Sequence, residues 1–554
     1  MGWRNALFLA LAITAAGQET VKIEVAGEKR LGPIRPIWRY FGYDEPNYTY
    51  AKNGRKLIAE LGAEVGKPGR APVFIRTHFL LCTGDGTPGL KWGSTNAYTE
   101  DAAGNPIYDW TIVDRIFETI LKSGAKPFVE IGFMPKALSS KPEPYQPVWI
   151  AGAKNDHYSI GWSYPPKNYA RWEELVAQWV SHEVSKWGRR EVASWYWEVW
   201  NEPDISYWHG NAEEYDTLYE WAARGVKRAL PEARVGGPAV TGPRYSKPAE
   251  YLRQFLKHSD GIPLDFITYH AKGSPRVVDG HLRMGLGEEL QSVARGLEVI
   301  EEFPQYRGLP IVLSEADPEG CAACSARVYP ENAYRNGTLY PAYTAAAVNA
   351  ILTIAERKNA NIEGMLTWAF EFEDQPYFDG FRTLATNGID KPILNLFRML
   401  AMMDLPRGER VEVTSSGAVD AGVMLTNGVR EKPDINALAA RGGREMAALV
   451  WNYHDDDLPA QDANVELAMT GIPAQAQAVL VRHYRIDDKH SNAYEAWRAM
   501  GAPQKPIEEQ YAKLEAAGKL AMLGPAERKR PTDGRVLLRF TLPRQSVSLI
   551  QLSW

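Results

Sequence analysis

The sequence predicts a (β/α)8 barrel, or TIM barrel, with an accessory all-β sandwich domain, and three observations support this fold class. Apolar residues recur at the helical spacing i, i+3, i+4, i+7 and i+8 in two segments, residues 113–121 and 172–180. Strand-like and helical segments alternate from about residue 35 to about residue 400. Beyond about residue 405, stretches in which every second residue is apolar replace that alternation.

The predicted barrel strands are eight short runs rich in aliphatic and aromatic residues, with Gly or Pro near their ends. In order they are Trp38–Tyr43, Val73–His78, Pro127–Phe133, Ser194–Trp200, Arg234–Pro238, Leu264–His270, Pro310–Ser314 and Glu363–Phe370. Six further helices are predicted between them: Gly54–Gly62, Ala212–Leu230, Pro248–His258, Gly287–Phe303, Pro341–Lys358 and Leu394–Met403. A doubly wound open sheet is the alternative, weakened because no Gly-x-Gly-x-x-Gly follows the first strand.

The chain divides into a predicted leader, the barrel and the sandwich. Residues 1–17 combine one positive charge, about ten apolar residues and a small-residue zone, which is typical of a signal peptide and predicts export to the periplasm or the extracellular space. Residues 30–404 are assigned to the barrel, and residues 18–29 with 405–554 to the sandwich, with a helical insertion near Ala493–Leu523. No later segment has the length of apolar sequence that a membrane span needs.

The composition excludes some classes of function. Lysine plus arginine number 63 and aspartate plus glutamate 68, a formal net charge of −5, which argues against a nucleic-acid binder. The 18 tryptophans and 27 tyrosines provide flat faces for stacking on sugars, although large cores also consume them. Metal-binding His-Glu-x-x-His, phosphate-binding Gly-Lys-Ser/Thr and nucleophile-elbow Gly-x-Ser-x-Gly motifs do not occur. The sequence therefore predicts no metal and no cofactor, and it does not indicate an oligomeric state.

Three cysteines are too few for a disulfide scaffold. In an oxidising compartment Cys321 and Cys324 can pair, which leaves Cys82 over. A local structural role, or two inert thiols, is favoured over a redox motif, and the sequence leaves the choice open.

Two glutamates follow strands on opposite sides of the predicted barrel. Glu202 ends the fourth strand and Glu315 the seventh, so both are expected at the C-terminal mouth, where barrel active sites lie. Paired carboxylates are what cleavage of a glycosidic bond requires: one protonates the leaving oxygen while the other attacks, or activates water at, the anomeric carbon. Asn201, directly before Glu202, is a candidate to hydrogen-bond the sugar 2-hydroxyl.

The segment Trp195–Asp204, with its Asn-Glu-Pro motif, resembles the acid/base segment of glycoside hydrolase family 39, known for β-xylosidases and α-L-iduronidases. The resemblance covers nearly all of the chain after the leader. It implies that Glu202 is the general acid/base and Glu315 the nucleophile of a retaining mechanism. Further similar segments are Ile75–His78, Lys91–Asn96, Tyr108–Trp110, Thr367–Phe370, Trp451–Tyr453 and His490–Tyr494.

The resemblance also implies a set of sugar-binding residues. His78 after the second strand, His270 after the sixth and Trp368 in the eighth match positions that contact the sugar, and acidic residues near Glu373 and Asp374 bind hydroxyls in such enzymes. Glu371 is a weaker candidate of the same kind. Glu130 is expected to be a core residue paired with Arg76, or else a helper carboxylate.

Two departures from the family pattern put the substrate in doubt. Lys272 stands where family xylosidases tend to have an aromatic residue, and it either meets an acidic sugar or points to solvent. The residue after Glu315 is alanine rather than the usual aromatic. We therefore predict a retaining glycoside hydrolase that acts on oligosaccharides or polysaccharides, with β-xylosidase-like exo action. The alternatives are action on an α-L-arabinofuranoside, a uronide or an internal polysaccharide bond, or a non-catalytic carbohydrate-binding role.

Overall fold

The computed structural model describes residues 19–66, 70–146, 149, 160–321, 323–368 and 371–554. The predicted signal peptide, residues 1–17, lies outside these residues, as do the last two positions of the predicted strand Glu363–Phe370. Within the described chain, no single helix has the length and apolar composition needed to cross a membrane. Only the bent pair Pro330–Asn336 and Leu339–Arg357 meets that criterion jointly.

Eight parallel strands close into a barrel, so the predicted fold class is confirmed. In chain order the strands are β1 Tyr40–Tyr43, β2 Phe74–Thr77, β3 Lys126–Ile131, β4 Tyr196–Val199, β5 Arg234–Val240, β6 Phe266–Lys272, β7 Ile311–Asp317 and β8 Ile362–Trp368. Closure occurs between β8 and β1, where Leu366 pairs with Tyr40 and Trp368 with Gly42.

A helix follows each barrel strand. These helices are α1 Lys52–Glu60, α2 Thr111–Lys122, α3 Tyr169–Trp187, α4 Ala212–Ala229, α5 Ser246–His258, α6 Leu286–Glu301, α7 Leu339–Arg357 and α8 Pro392–Met403. The apolar stripes predicted for α2 and α3 are the buried faces of those helices, because a stripe at this spacing must be covered by the sheet. Shorter helical segments are Pro46–Tyr50, Leu61–Val65, Gly161–Ser163, Arg189–Val192, Pro304–Tyr306, Pro330–Asn336, Ala421–Asn427, Ala493–Ala499 and Glu508–Gly518.

The sixth and seventh strands run further than the sequence predicts. The predicted strands end at His270 and Ser314, whereas β6 ends at Lys272 and β7 at Asp317. The pairing of the two strands shifts between Leu313 and Glu315, so that Glu315 lies opposite His270. Such a bulge re-aims the side chains that follow it. Glu315 is therefore held by strand hydrogen bonding and is not part of a loose loop.

The lower half of the barrel is filled by one layer of inward-pointing side chains. The layer consists of Tyr40, Phe74, Phe128, Tyr196, Phe266, Val312 and Leu366. The remaining strand, β5, supplies Gly236, where an added Cβ would lie 2.3 Å from the carbonyl oxygen of Phe266. Because this layer is packed, polar chemistry in the barrel is restricted to the mouth above it.

The second domain is a ten-stranded sheet. Its main path runs through Ala521–Met522, Val479–Ile486, Ser546–Ser553, Glu445–Tyr453, Asp434–Gly442, Glu409–Ser415, Val21–Pro33, Ala463–Thr470 and Val536–Leu542, and Glu527–Lys529 pairs with Val479–Ile486. The N-terminal strand Val21–Pro33 is antiparallel to Glu409–Ser415 and parallel to Ala463–Thr470. Three hairpins lie outside both sheets: Tyr98–Glu100 with Pro106–Tyr108, Arg276–Val278 with His281–Arg283, and Ala385–Thr386 with Ile389–Asp390.

One strand of the sheet joins the two domains. In Glu445–Tyr453, alternate residues from Ala447 to Tyr453 pack into the barrel cluster, while Met446, Ala448 and Val450 pack into the core of the sheet. The strand period of two produces this division, because successive side chains point to opposite faces. The ring of Tyr453 lies 5.7 Å from that of Tyr343 in α7.

We predict that Gly42→Ala destabilises the protein by roughly 1–3 kcal/mol, the usual range for overpacking. A methyl group there would lie 2.3 Å from Cε3 of Trp368, so the buried indole must move. Thermal unfolding and kcat/KM should both report the change. Gly89→Ala is the control, because its nearest heavy atom is 3.8 Å away. An unchanged unfolding midpoint for Gly42→Ala would contradict the prediction.

Candidate active site

The two predicted catalytic glutamates meet in one hollow at the barrel mouth. Glu202 directly follows Trp200 and Asn201 at the end of β4, and Glu315 lies in β7. A carboxylate oxygen of each, together with a nitrogen of His270, forms a group whose members are all within 4.8 Å of one another. Carboxyl groups about 5–5.5 Å apart serve retention, whereas inversion needs about 6.5–9.5 Å to admit water. The separation is therefore that of a double-displacement enzyme.

Glu315 is surrounded by cations. Lys272 Nζ is 2.6 Å from Glu315 Oε2, Arg382 Nη2 is 3.5 Å from the same oxygen, and Arg76 Nη1 is 3.4 Å from Oε1. Burial by itself would raise the pKa of Glu315, but the charges of Lys272, His270, Arg382 and Arg76 outweigh it and hold that pKa well below its usual range. Glu315 is thus kept ionised, as a nucleophile must be.

Glu202 is the more accessible carboxylate. Its side chain is 16% exposed, against 6% for Glu315. His270 Nδ1 lies 2.8 Å from Glu202 Oε1, and the Glu202 backbone N–H donates to Ala239 O at 3.0 Å. Trp200 and Glu202 both have left-handed φ values, 69° and 46°, a strained backbone of the kind found at functional sites. The accessible position suits exchange of protons with a leaving group and then with water.

Arg76 joins the site to the barrel interior. Its guanidinium is fully buried and donates to Glu198 Oε2 at 2.5 Å and to Asn201 Oδ1 at 2.9 Å. Glu130 Oε2 is 3.6 Å away, so the predicted pairing of Glu130 with Arg76 is present. Because Arg76 engages the carbonyl oxygen of Asn201, the amide NH2 is the group left to face a sugar hydroxyl.

His78 is buried between two carboxylates. Its Nδ1 is 2.6 Å from Asp44 Oδ1 and its Nε2 is 3.0 Å from Glu130 Oε2. Burial by itself would lower the pKa of His78, but Glu130 and Asp44 outweigh it and raise the pKa to about 9. Lys91 forms an ion pair with the same Asp44. His78 is therefore an imidazolium near Glu315, with Nε2 at 3.8 Å from Oε1.

Trp368 forms the floor of the hollow. Its indole N–H donates to Glu315 Oε2 at 3.0 Å, and its ring lies against Gly42, where no side chain intervenes. Arg382 sits 5.1 Å from the ring centre and also 3.5 Å from Asp317. The predicted position of Trp368 under the sugar is compatible with this placement.

The acidic residues after β8 lie in different surroundings. Both oxygens of Glu373 accept hydrogen bonds from Asn53, at 2.6 Å from the backbone N and 2.9 Å from the side chain, which places the carboxylate at the first turn of α1. Asp374 is exposed. Glu371 is buried and accepts from Gly388 N at 2.6 Å, and burial raises its pKa to about 8. The structure thus does not bring Glu373 into contact with the two catalytic carboxylates.

Sequence reasoning missed Arg382, Asp317 and Glu198 as parts of the site. Glu198 had a detectable signal, because a carboxylate within a buried strand requires a buried cation such as Arg76. Asp317 lies beyond the predicted end of its strand. Arg382 comes from the long segment after β8, and nothing in its local sequence indicates that it reaches Glu315.

The segment after β7 is closed by a disulfide between Cys321 and Cys324, the pairing that the sequence left open. Glu319 in this segment pairs with Arg335, and its carbonyl oxygen accepts from Arg382. Cys82 is buried and free of a disulfide, and burial raises the pKa of its thiol.

In the part of the chain that the structure describes, two groups of side chains have metal-ligand spacing, and charge opposes a metal in each. In the first, Glu202, His270 and Glu315, the cations Lys272 and Arg382 already surround Glu315. The second is Asp114, His182 and Glu183 on α2 and α3. There Lys186 pairs with Asp114, and two tryptophan N–H groups donate to Glu183.

Comparison with known proteins agrees with this geometry. The family model for glycosyl hydrolases family 39 matches residues 21–536. The chain belongs to this family. A β-xylosidase of Caldicellulosiruptor saccharolyticus is 27% identical over 91% of this chain and 92% of its own length. An α-L-iduronidase of Mus musculus is 23% identical over 99% of this chain and 83% of its own length. The crystal structure of a monomeric β-xylosidase from Caulobacter crescentus CB15 has a TM-score of 0.74 at 22% identity and covers 96% of this chain and 99% of its own.

This family 39 enzyme is therefore a glycoside hydrolase that acts on carbohydrate substrates with retention of configuration, as predicted.

We expect Glu202→Ala to depend strongly on the leaving group. Hydrolysis of substrates with poor leaving groups should fall by about 10²–10⁴-fold, the usual contribution of general acid catalysis, because no proton reaches the departing oxygen. Aryl glycosides with activated leaving groups should lose far less in the glycosylation step. Glu315→Ala should be inactive on every substrate. Equal losses across a leaving-group series would remove Glu202 from the proton-donor role.

We expect Lys272→Gln to shift the acid limb of the kcat/KM profile to higher pH by about 1–2 units, the usual influence of one close cation. Glu315 is active when ionised, so activity is present above its pKa and is lost as the pH falls through it. Removing Lys272 takes away the largest charge effect that lowers that pKa. Lys186→Gln, a surface lysine paired with Asp114, is the control. An unmoved limb would contradict the assignment of Glu315.

Proposed function

We propose that the enzyme removes a terminal sugar with the xylose configuration at C1 to C4 from the non-reducing end of an oligosaccharide. The close approach of Glu202 and Glu315, each with a carboxylate oxygen in a group whose members lie within 4.8 Å of one another, carries the reaction in this proposal. The relatives named β-xylosidase and α-L-iduronidase support the configuration of the sugar. Exo action is supported by a buried cluster next to His78, in which Asp44 contacts His78 and Lys91 contacts both Asp44 and Glu45.

Among the glycosides with this configuration are the two classes for which the relatives are named. A β-D-xyloside carries only hydrogens at C5, whereas an α-L-iduronide has the same arrangement at C1 to C4 and adds a carboxylate at C5. The β-xylosidases at 27% identity favour the first class, which the sequence also predicts. The α-L-iduronidases, matched along 99% of this chain, favour the second.

The charges around Glu315 favour the uronide. Lys272 and Arg382 both contact Glu315, and both also approach Asp317, at 3.8 and 3.5 Å. When Glu315 becomes an ester in the glycosyl-enzyme, it loses its negative charge, and among the described residues Asp317 is then the one carboxylate within 4 Å of both cations. A carboxylate on the sugar would restore the balance at that step, and a neutral xylose would not. We therefore propose a uronide as the substrate, with a β-xyloside as the second candidate.

The proposed reaction proceeds in two displacements. Glu202 donates its proton to the glycosidic oxygen while Glu315 attacks C1, so that the C1–oxygen bond breaks and a glycosyl ester forms. Deprotonated Glu202 then takes a proton from water, which attacks C1 and releases Glu315. His270 orients Glu202 throughout, and Asn201, held by Arg76, binds the 2-hydroxyl.

We also propose that the protein is exported. The charge and apolar pattern of residues 1–17 supports this proposal. The disulfide between Cys321 and Cys324 supports it too, since disulfides persist mainly in oxidising compartments.

The test compares 4-nitrophenyl α-L-iduronide, β-D-glucuronide and β-D-xyloside. We expect the highest kcat/KM on the iduronide, and Lys272→Gln should reduce that value by at least about 10-fold more than it reduces xyloside hydrolysis, because a charge-assisted contact is lost. Hydrolysis of the xyloside alone would establish the second candidate. Activity on none of the three would overturn the proposed configuration.

A further inference from the structure

Three side chains form a rim beside Glu202. Ile205 lies in the segment after β4, and Arg244 and Tyr245 lie in the segment after β5. Ile205 is 39% exposed and Tyr245 59%, so both present apolar surface to solvent. The two segments are joined, because Thr241 N donates to Asp204 Oδ1 at 2.9 Å.

Arg244 ties the rim to the catalytic hollow. Its Nη1 donates to the carbonyl oxygen of Lys272 at 3.1 Å, and its Nη2 donates to the hydroxyl of Tyr245 at 2.7 Å. The guanidinium carbon also lies 4.7 Å from the centre of the Tyr245 ring. Lys272 in turn contacts Glu315. These contacts therefore hold the exposed ring of Tyr245 next to the end of β6.

The position of the proton donor identifies the side of the hollow on which the rim lies. Glu202 must face the bond that breaks, so the departing group occupies the space on its outer side. The rim residues belong to the two segments that hold Glu202. In the segment after β4, Ile205 N donates to Glu202 O at 3.2 Å, and at the end of β5, the strand that leads to Arg244 and Tyr245, Ala239 O accepts from Glu202 N. The rim thus borders the leaving-group side.

Arg244 differs from its neighbours in its charge balance. Within the described residues it has no carboxylate within ion-pair distance, whereas Arg276 in the next segment pairs with Glu288 at 3.0 Å and Arg253 on α5 pairs with Glu302. A partly buried guanidinium that holds only a carbonyl and a hydroxyl keeps its charge available to an anion.

We propose that Arg244 and Tyr245 form the leaving-group subsite and select a sugar that stacks on Tyr245 and carries an anionic substituent, a carboxylate or a sulfate, toward Arg244. Ile205 completes the apolar side of this subsite. A flat phenol ring presents a face to the CH groups of a sugar, while the guanidinium supplies paired N–H donors that match planar oxyanions. The inference rests on Glu202 as the proton donor. It does not depend on which sugar Glu315 attacks.

The first experiment varies only the leaving group. The glycone is the sugar that the wild type hydrolyses best, and it is attached to phenol, 4-carboxyphenol or 4-sulfophenol. A series of neutral phenols of different pKa gives the dependence of kcat/KM on leaving-group pKa, and that dependence is subtracted. We expect kcat/KM to favour the anionic phenols by about 5–10-fold at low ionic strength and less at high salt, as for a partly screened ion pair. The carboxylate and sulfonate arms show which oxyanion is preferred, with the sulfonate standing in for a sulfate.

Variants of Arg244 then assign the preference. Arg244→Gln should remove the preference, measured as the ratio of kcat/KM for an anionic phenol to kcat/KM for a neutral phenol, because the interaction with the anion is lost. Arg244→Lys should keep part of it. Arg276→Gln is the matched control, because Arg276 lies in the neighbouring segment after β6 and already has a carboxylate partner.

Variants of Tyr245 test the stacking. With a disaccharide substrate, Tyr245→Ala should raise KM by about 5–20-fold, because aromatic stacking on a sugar is worth about 1 kcal/mol or more. The kcat for the aryl glycoside should change little. Tyr245→Phe keeps the ring and should therefore retain most of the affinity for the disaccharide. Loss of activity on the neutral phenyl glycoside in every variant would show a structural role and overturn the proposal. So would an anion preference that persists in Arg244→Gln. Failure of the uronide proposal changes only the glycone in these assays.

Discussion

The buried guanidinium of Arg76 is the interaction on which the rest of the site depends. It rises from the middle of β2 and contacts carboxylates from β3, β4 and β7 and the amide of Asn201. A buried charge is tolerated only when partners surround it, and the partners are tolerated only because Arg76 is present. One cation therefore sets the relative positions of strands that are far apart in the chain. The closed barrel makes this possible, since inward-pointing residues of all strands converge on its axis.

The network also explains why two glutamates a few ångströms apart behave differently. Glu315 lies on the inner side, where Arg76, Lys272, Arg382 and the indole N–H of Trp368 stabilise its ionised form. Glu202 lies on the outer side, with His270 and partial access to solvent. In the proposed mechanism, environment and not residue type separates the nucleophile from the proton donor. The same asymmetry gives the hollow a proposed sugar side and a proposed leaving-group side.

Much of the architecture follows from patterns that are local in the sequence. The helix stripes at 113–121 and 172–180 became buried faces of α2 and α3, and each of the eight predicted strands corresponds to a barrel strand. Errors concentrate at the ends of strands. Lys272 and Asp317 are polar and follow apolar runs, so a prediction based on apolar residues ends these two strands too early. They are nevertheless strand residues, because they pair with each other across β6 and β7.

The sequence alone determined the fold class, the proximity of Glu202 and Glu315, and the family. The first depends on periodicity, the second on the rule that all strand ends of a barrel meet at one mouth, and the third on contiguous motifs. Only the tertiary structure decided which other residues accompany them. Glu373 was expected to bind a sugar, yet its carboxylate occupies the first turn of α1, and Arg382 had no local signal, yet it reaches Glu315. The physical reason is that long segments after strands are placed by the packing of the whole barrel. Charge complementarity between distant residues cannot be read from the order of residues along the chain.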